Sequence, residues 1–383
     1  MQIKKKVAYI TISDPEDKHA WSGTNYYIHK ALIGAYADVI ALGPAEPKWV
    51  TLICKIIHGT SLIFFKRRFD YRASTWYAKA CSSLFSKRLK NDDFDLIVAP
   101  AGIACIAYLK TDIPILFVGD RVIAGALNYH TIVSDLWKWS EKQSIQTEHL
   151  AFEKAARCIF SSPWAAEHAR RLHHLDDKKI LVLPFGANMD NLPEAAVVLS
   201  NPAIKTKIIK LLFVGANWRD KGAQRAVNAL NYLIAHGFEA QLTIVGCVAP
   251  VGEVFPHVTI IPFLNKNTAS GLTALQQLFL ESTFFILPTR FDCTPIVFCE
   301  ASAFALPVLT ANTGGVAGHV ASGRNGYLID YDDMGEAYAK KIIEIIQQAG
   351  AYEQLCVSTR KEFDDRLNWT SWMQKVSASI QEI

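Results

Sequence analysis

A regular alternation of short apolar runs with longer amphipathic stretches constrains this chain most, because it predicts parallel strands joined by helical crossovers. In the first half we predict strands at Val7–Ile12, Val39–Leu42, Leu96–Ala99, Ile113–Val118, Cys158–Phe160 and Ile180–Leu183. In the second half we predict strands at Ile208–Val214, Leu242–Val245, Val258–Ile261, Phe284–Leu287, Pro307–Leu309 and Gly326–Ile329. The predicted helices are Asn25–Ala35, Thr75–Leu89, Glu141–Ala156, Ala223–His236, Thr273–Glu281, Val297–Ala305 and Met334–Gln348. The fold class is therefore expected to be α/β.

Two domains are expected, because the 383 residues of the chain exceed the roughly 250–300 that one core usually supports. Residues 189–207 contain two prolines and little periodicity, so we predict a linker there. The predicted organisation is a Rossmann-like domain over 1–188, a second over 208–365, and a C-terminal helix over 366–383 that packs back on the first domain. Two such domains would face each other across a cleft.

The net charge of +4 hides a strongly basic segment. Between Lys48 and Lys90 there are ten Lys or Arg and one acid, which leaves about −5 for the remainder. Apolar residues at helical spacing within it predict an amphipathic segment lying on an anionic bilayer. A core helix with a solvated basic face is the alternative, and nucleic acid is disfavoured because no recognition motif is present. Lys55, His58 and Gly59 make the run too short and too interrupted for a spanning helix.

Cysteine and histidine spacing bears on compartment and metal binding. The eight cysteines form no CxxC pair, which is typical of reduced, buried thiols in a cytoplasmic protein. The eleven histidines show no metal-binding spacing, so no metal site is predicted. Met1–Lys6 leads straight into a strand, and no signal peptide is expected.

Two carboxylates stand out in the segment Phe284–Asp330. Asp292 and Glu300 are eight positions apart across a predicted strand-to-helix turn. Both can therefore face the crevice at the carboxyl end of a parallel sheet, where open α/β folds bind ligands. Acids accept hydrogen bonds from hydroxyls, and backbone amides at a helix start bind phosphate oxygens. The pair predicts a polyhydroxylated, sugar-like ligand.

A second motif, GANWRDKG, covers Gly215–Gly222 directly after a predicted strand. Glycine at the strand end allows a ligand to approach the backbone. Arg219 and Lys221 then place two cations beside the start of the next helix, which suits a diphosphate. An ordinary turn with solvated charges is the alternative.

Together these motifs resemble the retaining family 4 glycosyltransferases of the GT-B fold. PFGANMD (184–190) is similar to the family's hinge motif, and FVGANWRDKG (213–222) to its diphosphate-binding segment. FDCTPIVFCEASAFALPVL (291–309) resembles the family's pair of acids separated by seven residues, and GGVAGHVASGRNGYLI (314–329) its glycine pair and later NG turn. The resemblance covers nearly the whole chain.

The resemblance implies a metal-independent sugar transfer, without a cofactor, from a nucleotide-sugar donor to a glycan or lipid-linked acceptor. Glu300 would bind the ribose hydroxyls, Asp292 would face the donor sugar, and Lys221 and Arg219 would offset charge on the diphosphate leaving group. The predicted donor-binding residues are Gly23, Gly215, Arg219, Lys221, Gly246, Asp292, Thr294, Pro295, Ile296 and Glu300. Thr294, Pro295 and Ile296 are included for their backbone amides.

The sequence departs from the family at three places. The first acid is usually Glu, and here it is Asp292, which is one methylene shorter. An acid often follows the glycine pair by three residues, and here that position is Gly318. Many members carry a His-Asp pair where this chain has Gly119-Asp120, so the histidine that contacts the donor sugar is replaced. These departures leave the donor sugar open.

On the acceptor side, the predicted residues are Asp120, Arg121 and Trp137. Asp120 is a candidate to position the acceptor hydroxyl or accept its proton, and a strand-end cap paired with Arg121 is the alternative. Trp137 and its neighbour Trp139 are candidates to stack on a sugar ring, with core packing as the alternative.

The predicted function is a retaining hexosyltransferase that is cytoplasmic and associated with the inner membrane face. The predicted catalytic residues are Asp120, Arg219, Lys221, Asp292 and Glu300. Two other functions stay open on the same fold: an epimerase, and a protein that binds nucleotide-sugar without transferring it.

Overall fold

Two parallel six-stranded sheets form the framework of the protein. The structure is a computed structural model that describes residues 3–127, 129, 134–201 and 208–380. The chain divides into an N-terminal unit, Met1–Leu183 with Trp372–Ile383, and a C-terminal unit, Pro184–Ser371. The predicted linker 189–207 thus falls within the C-terminal unit, and its residues 202–207 lie outside the described residues.

The strands of the N-terminal unit are β1 (Ile3–Tyr9), β2 (Tyr36–Ala41), β3 (Leu96–Pro100), β4 (Ile115–Gly119), β5 (Arg157–Phe160) and β6 (Ile180–Val182). They pair in the order β2-β1-β3-β4-β5-β6, all parallel. β1 begins at Ile3 rather than at Val7, and its Lys6 is in register with Asp38 of β2 and forms ion pairs with Asp38 at 3.5 Å and with Asp92 at 2.5 Å. A charged residue is therefore accommodated in the strand.

The helices of the N-terminal unit are α1 (Thr24–Ala35), α2 (Lys48–Phe65), α3 (Thr75–Leu89), α4 (Ile103–Ile106), α5 (Ile123–Ala126), α6 (Lys138–Lys154) and α7 (Pro163–His173). Local sequence sets several of the helix starts. Ser162 accepts a hydrogen bond from the amide of Ala165, and Pro163 occupies the first turn of α7. Ser74 caps α3 in the same way through the amide of Tyr77.

The strands of the C-terminal unit are β7 (Ile209–Val214), β8 (Ala240–Val245), β9 (Val258–Ile261), β10 (Phe284–Leu287), β11 (Val308–Ala311) and β12 (Gly326–Ile329). Their order is β12-β11-β10-β7-β8-β9, all parallel. The helices are α8 (Ala195–Leu199), α9 (Ala223–Ala235), α10 (Ala269–Glu281), α11 (Ile296–Ala303), α12 (Glu336–Gln347) and α13 (Ala351–Arg366). A last helix, α14 (Trp369–Ile380), completes the described chain.

Each unit has its own apolar core packed against its sheet. In the N-terminal unit, the rings of Phe117, Phe152 and Phe160 pack edge to face with centroids 5.3 to 6.2 Å apart. In the C-terminal unit, Phe279 stacks on Phe304 at 5.1 Å. Full burial of such side chains contributes about 1.5–3 kcal/mol each, so the sheets provide rigid supports for the loops at their edges.

Helix α2 corrects one expectation from the sequence. It continues without a break through Lys55, His58 and Gly59 for 18 residues, and its mean hydropathy is 1.3. By length and composition it is long and apolar enough to cross a membrane. The segment is therefore neither too short nor too interrupted for such a helix. Only 17% of its residues are buried.

Candidate functional site

The strand order of the C-terminal sheet reverses between β7 and β10. Open α/β sheets bind ligands in the crevice outside the carboxyl ends of the strands at such a point. Lys221 lies in the loop after β7, and Asp292 in the loop after β10. The Nζ atom of Lys221 donates to Oδ2 of Asp292 at 2.6 Å, and the two side chains are 25% and 12% exposed. The structure therefore joins two of the predicted residues across the reversal point.

Close approaches of the backbone shape this edge. Gly222 has φ +76°, and a Cβ atom there would lie 2.0 Å from the carbonyl oxygen of Pro288. Gly246 has φ +97°, and a Cβ atom there would lie 3.0 Å from the carbonyl oxygen of Gly215. Both positions favour glycine, because other residues rarely adopt these φ values. At Gly222 a Cβ atom would also collide with the backbone. The predicted residues Gly215 and Gly246 thus bring the ends of β7 and β8 together.

The second acid, Glu300, lies in α11, and its side chain is 4% exposed. Lys266 donates from Nζ to Oε1 of Glu300 at 2.8 Å and to the carbonyl oxygen of Asn188 at 3.0 Å. Hydrogen bonds between ionised groups are about twice as strong as neutral ones. Lys266 lies between β9 and α10, and the sequence did not identify it. The lysine holds one oxygen of the acid in a fixed position.

The segment Pro184–Asp190, predicted as a hinge motif, supports this pair from within the C-terminal unit. The thiol of Cys299 donates to the carbonyl oxygen of Phe185 at 3.2 Å. The indole of Trp369 stacks on the ring of Phe185 at 5.7 Å and donates to Oδ1 of Asn188 at 3.1 Å. The carbonyl group that receives Lys266 is therefore held by packing and by hydrogen bonds.

A buried histidine lies close to the loop of Asp292. The amide of Gly315 donates to the carbonyl oxygen of Asp292 at 2.9 Å, and the carbonyl oxygen of Gly315 faces Nδ1 of His319 at 3.4 Å. The pKa of His319 is lowered to about 4, mainly by burial; the hydrogen bond to Gly315 opposes this change, the charge of Arg366 adds to it, and the charge of Asp292 opposes it. His319 is therefore neutral near pH 7. The sequence did not indicate a buried histidine here, although His319 lies in the segment Phe284–Asp330.

The other predicted donor-side residues differ in their exposure and in their available hydrogen-bond donors. Arg219 is exposed at the sheet edge. The amide of Ile296 donates to the carbonyl oxygen of Thr294 at 2.9 Å, and Pro295 has no amide hydrogen. The amide of Ile296 is thus already used within the protein.

In the N-terminal unit, Asp120 and Gly23 are connected through Trp21. The indole Nε1 atom of Trp21 donates to Oδ2 of Asp120 at 2.9 Å. Trp21, Ser22 and Gly23 have consecutive φ values of 50°, 57° and 87°. Non-glycine residues in this region are strained, and such strain is concentrated at functional sites. Trp21 was not predicted, since the sequence does not reveal that the loop before α1 reaches the end of β4.

Arg121, the neighbour of Asp120, lies close to Asp70. Burial raises the pKa of Asp70, and the charge of Arg121 opposes that rise. The guanidinium of Arg121 therefore acts on a buried acid of its own unit. Asp120, by contrast, has the indole of Trp21 as its hydrogen-bond donor.

Trp137 precedes α6 and lines a cavity of about 260 Å³ with Arg67, Lys138 and Glu141 among its neighbours. Its ring stacks on Phe65 with centroids 5.2 Å apart. The residue thus both packs against aromatic neighbours and borders open space. Both of the alternatives raised from the sequence are compatible with this placement.

Within the described ranges 3–127, 129, 134–201 and 208–380, no group of three or more His, Cys, Asp or Glu side chains is placed to hold a metal ion.

Comparison with known proteins gives a family match for the C-terminal unit. The family model described as glycosyl transferases group 1 matches residues 209–348. The chain is 23% identical over 201 residues to the capsular polysaccharide biosynthesis glycosyltransferase CapM of Staphylococcus aureus, covering 50% of this chain and 52% of the relative. It spans about half the length of the curated relatives that it matches.

Solved structures match the whole chain. Sucrose-phosphate synthase from Thermosynechococcus elongatus has a TM-score of 0.67 and 16% identity, covering 99% of both chains. Anabaena Alr3699/HepE, solved in complex with UDP and glucose, has a TM-score of 0.63 and 13% identity, covering 99% of this chain and 100% of that one. At these identities the likeness concerns the fold.

Proposed function

We propose the reaction of this chain from two findings: residues 209–348 match the family model of the glycosyl transferases group 1, and the chain has the two-domain α/β GT-B fold. It transfers a sugar from a nucleoside-diphosphate sugar to a glycan or lipid-linked acceptor. The transfer retains the anomeric configuration, moves a hexose and needs no metal. The activities of similar proteins support this proposal, among them polysaccharide biosynthesis.

One observation carries the proposal: two acids, one partly buried and one buried, are each bonded to a lysine in the loop and helix that follow β10. Asp292 is bonded to Lys221, and Glu300 to Lys266, at 2.6 and 2.8 Å. A carboxylate accepts hydrogen bonds from hydroxyl groups, and a lysine offsets the charge of phosphate oxygens. The combination suits a ligand with sugar hydroxyls at one end and a diphosphate in its middle.

Glu300 is proposed to bind the ribose of the donor. Lys266 engages Oε1, so Oε2 is the oxygen that accepts the ribose hydroxyl. Because the acid is held on a helix and by a lysine, little side-chain entropy is lost when the donor binds. Fixing a flexible side chain otherwise costs about 0.5–1.5 kcal/mol.

Lys221 and Arg219 are proposed to stabilise the diphosphate as the bond to the sugar breaks. The leaving group then gains negative charge, and fixed cations at that position lower the barrier without a metal. Asp292 is proposed to face the sugar and to keep Lys221 oriented. Losing one such group typically costs about 2.7–4 kcal/mol of transition-state stabilisation.

Asp120 is proposed to act on the acceptor hydroxyl. The indole of Trp21 holds Oδ2 at 2.9 Å, which leaves Oδ1 to position the hydroxyl or accept its proton. Gly119 occupies the place of the family histidine, so Asp120 is the ionisable residue of that predicted pair in this chain.

A cytoplasmic location is proposed from the thiols. All eight cysteines are buried thiols outside any disulfide. Burial raises the pKa of Cys81 and of Cys158 to about 12, which makes these thiols poor nucleophiles at neutral pH. Such cysteines suit a reducing compartment.

Donor binding is the direct test. Thermal-shift and calorimetric measurements with nucleoside diphosphates and their sugar conjugates should identify a ligand, which at 100 times its Kd stabilises the protein by about 2.7 kcal/mol. Glu300→Ala should abolish this binding. The matched control is Glu353→Ala, which removes an exposed acid from α13 of the same unit and should leave the affinity unchanged.

A comparison of ribose and 2′-deoxyribose ligands tests whether Glu300 binds the ribose. The 2′-deoxy form of the best diphosphate should bind the native protein more weakly, and Glu300→Gln should remove that difference. Unaltered donor affinity in Glu300→Ala would refute the site. Donor binding without transfer across a broad acceptor screen would instead favour a protein that binds nucleotide-sugar without catalysis.

A further inference from the structure

The apolar face of α2 points to solvent instead of into the N-terminal unit. Its buried residues are Thr51, Cys54 and Ser61, which are polar or small. Its exposed residues include eight large apolar side chains, from Leu62 at 43% to Trp49 at 80%: Trp49, Leu52, Ile53, Ile56, Leu62, Ile63, Phe64 and Phe65. A helix that packs on its own core shows the opposite arrangement. The core-helix alternative from the sequence therefore does not describe α2.

The polar face of the helix is fixed to the unit by hydrogen bonds. The hydroxyl of Ser61 donates to the carbonyl oxygen of Arg67 at 2.8 Å, and Nδ1 of His58 lies 2.8 Å from the carbonyl oxygen of Phe69. The Sγ atom of Cys54 lies 4.0 Å from Oγ of Ser74, the residue that caps α3. The orientation of α2 is thus built into the fold, and its apolar face is held outward.

Charge indicates what covers this face. Residues 48–65 contain no acid, and Lys48, Lys55, Lys66 and Arg67 are exposed along the helix and just after it. The Lys48–Lys90 segment carries a net +9. A second copy of the chain would bring an equally basic surface against it, and like charges repel. An anionic lipid surface complements both the charge and the apolar side chains.

We propose that α2 docks the protein on an anionic bilayer and lies in the plane of its interface. The apolar face would enter about 5–10 Å, to the boundary between headgroups and acyl chains. The cations at both ends of the helix would remain among the headgroups. The helix lies flat, because its polar face stays bonded to the unit. This docking does not require the proposed sugar transfer.

The same surface continues to the predicted acceptor side. Phe65, the last residue of α2, stacks on Trp137, and Arg67 lines the same cavity as Trp137 and Lys138. A lipid-linked acceptor would therefore be presented beside the docked face. This last step, unlike the docking, rests on the proposed function.

Vesicle flotation tests the docking with the full chain. The native protein should bind vesicles containing phosphatidylglycerol and bind pure phosphatidylcholine vesicles at least tenfold more weakly. Replacing Trp49, Ile56, Ile63 and Phe64 by Ser should reduce binding at least tenfold. The control replaces four exposed apolar residues of the C-terminal unit by Ser, namely Val251, Val254, Ile346 and Val357, and should bind normally.

Neutralising the cations of α2 separates the electrostatic contribution to vesicle binding from the apolar one. Changing Lys55, Lys66 and Arg67 to Gln should weaken binding by about fivefold for each cation near the surface, and added salt should reproduce the loss. If the triple variant binds anionic and neutral vesicles as the native protein does, the electrostatic part of the proposal is wrong.

The depth of α2 in the bilayer can be measured by labelling a single introduced cysteine, because the eight native cysteines are buried. An environment-sensitive dye at Trp49→Cys or Phe64→Cys should shift to the blue with anionic vesicles, and both positions should be quenched equally by nitroxide lipids of the outer leaflet. The same dye at Val357→Cys should not respond. Unequal quenching would indicate a spanning helix and overturn the flat arrangement.

Burial of the dye in the absence of lipid, together with concentration-dependent dimers in ultracentrifugation, would show that a second copy covers the face. That result, or normal flotation of the four-residue apolar variant, would overturn membrane docking. Donor binding measured on the same variants should be unchanged, so that failure here is distinct from failure of the proposed reaction.

Discussion

Acid should destabilise the C-terminal unit through His319. The pKa of this histidine is about 4 in the folded protein, whereas an unfolded chain has a value of about 6.5. When the pH falls below 6.5, the unfolded chain takes up a proton that the folded protein refuses. The free energy of unfolding therefore falls as the pH drops from about 6.5 to about 4, and is unaffected by this residue above that range.

The size of the effect follows from the two pKa values. A full gap between 6.5 and about 4 corresponds to about 3 kcal/mol at 1.36 kcal/mol per pH unit. Between pH 7 and pH 5 the linkage relation gives about 2 kcal/mol. Burial is the main cause, since the side chain of His319 is 0% exposed.

The assay must report on the C-terminal unit alone. Hydrogen exchange of peptides covering residues 308–329, measured across a urea series at pH 7 and pH 5, gives its opening free energy. The native protein should lose about 2 kcal/mol more than His319→Gln over this interval. His236→Gln, which removes an exposed histidine of the same unit, should behave like the native protein.

Two outcomes would refute this reasoning. The first is equal pH dependence in the native protein and His319→Gln. The second is a midpoint near 6.5 for deuterium exchange at the C2 carbon of His319, which reports its pKa directly. Either result would mean that the ring is hydrated or charged in the folded protein.

Two further changes test the site and its framework. Lys266→Met should leave the buried acid Glu300 without its cation, which lowers the stability of the folded protein by about 1–3 kcal/mol. The same change should weaken nucleoside-diphosphate binding in calorimetry by about tenfold. Unchanged binding would mean that the lysine does not position the acid. Gly222→Ala should destabilise the protein by at least about 3 kcal/mol in urea denaturation, because a left-handed residue costs about 1–2 kcal/mol and the new Cβ atom would lie 2.0 Å from the carbonyl oxygen of Pro288. Gly237→Ala, with φ +84° and open space around it, should lose only the conformational part, and equal losses in the two variants would show that the close approach is relieved.

The sheets could be predicted well because they depend on local pattern. The bounds of β9, β10 and β12 agree with the sequence prediction, since each is a short apolar run between turn residues. The start of β1 was predicted too late, because residues 4–6 of this strand are lysines and do not continue the apolar run. Lys6 is accommodated by a pairing with Asp38 on the neighbouring strand, and no local pattern contains that information.

The candidate site could be predicted only where its residues belong to continuous motifs. Lys221, Asp292 and Glu300 each lie in such a motif, and the structure places the first two in contact. Lys266 is 34 positions from Glu300 and 78 from Asn188, in a connection without a recognisable pattern. Its role arises from tertiary contacts, which a single sequence does not show.

Helix α2 illustrates the same limit for surfaces. Helical spacing correctly groups its apolar residues on one side, but spacing does not say which side the protein covers. Thr51, Cys54 and Ser61 form the buried side, and this follows only from bonds made to residues outside the helix, such as Arg67 and Phe69. The choice between a core helix and a docking helix therefore required the structure.

The pairing of each acid with a lysine lowers the net negative charge of the site. Asp292 with Lys221 and Glu300 with Lys266 are each close to neutral, so neither acid repels an incoming diphosphate as an isolated carboxylate would. Arg219 is then the predicted donor-side cation that neither acid engages. In the proposed reaction, Arg219 supplies the net positive charge that attracts the donor, while Lys221, kept oriented by Asp292, offsets the charge that develops on the leaving group. If the proposed reaction is correct, this arrangement would allow both acids to lie beside a diphosphate without a metal between them.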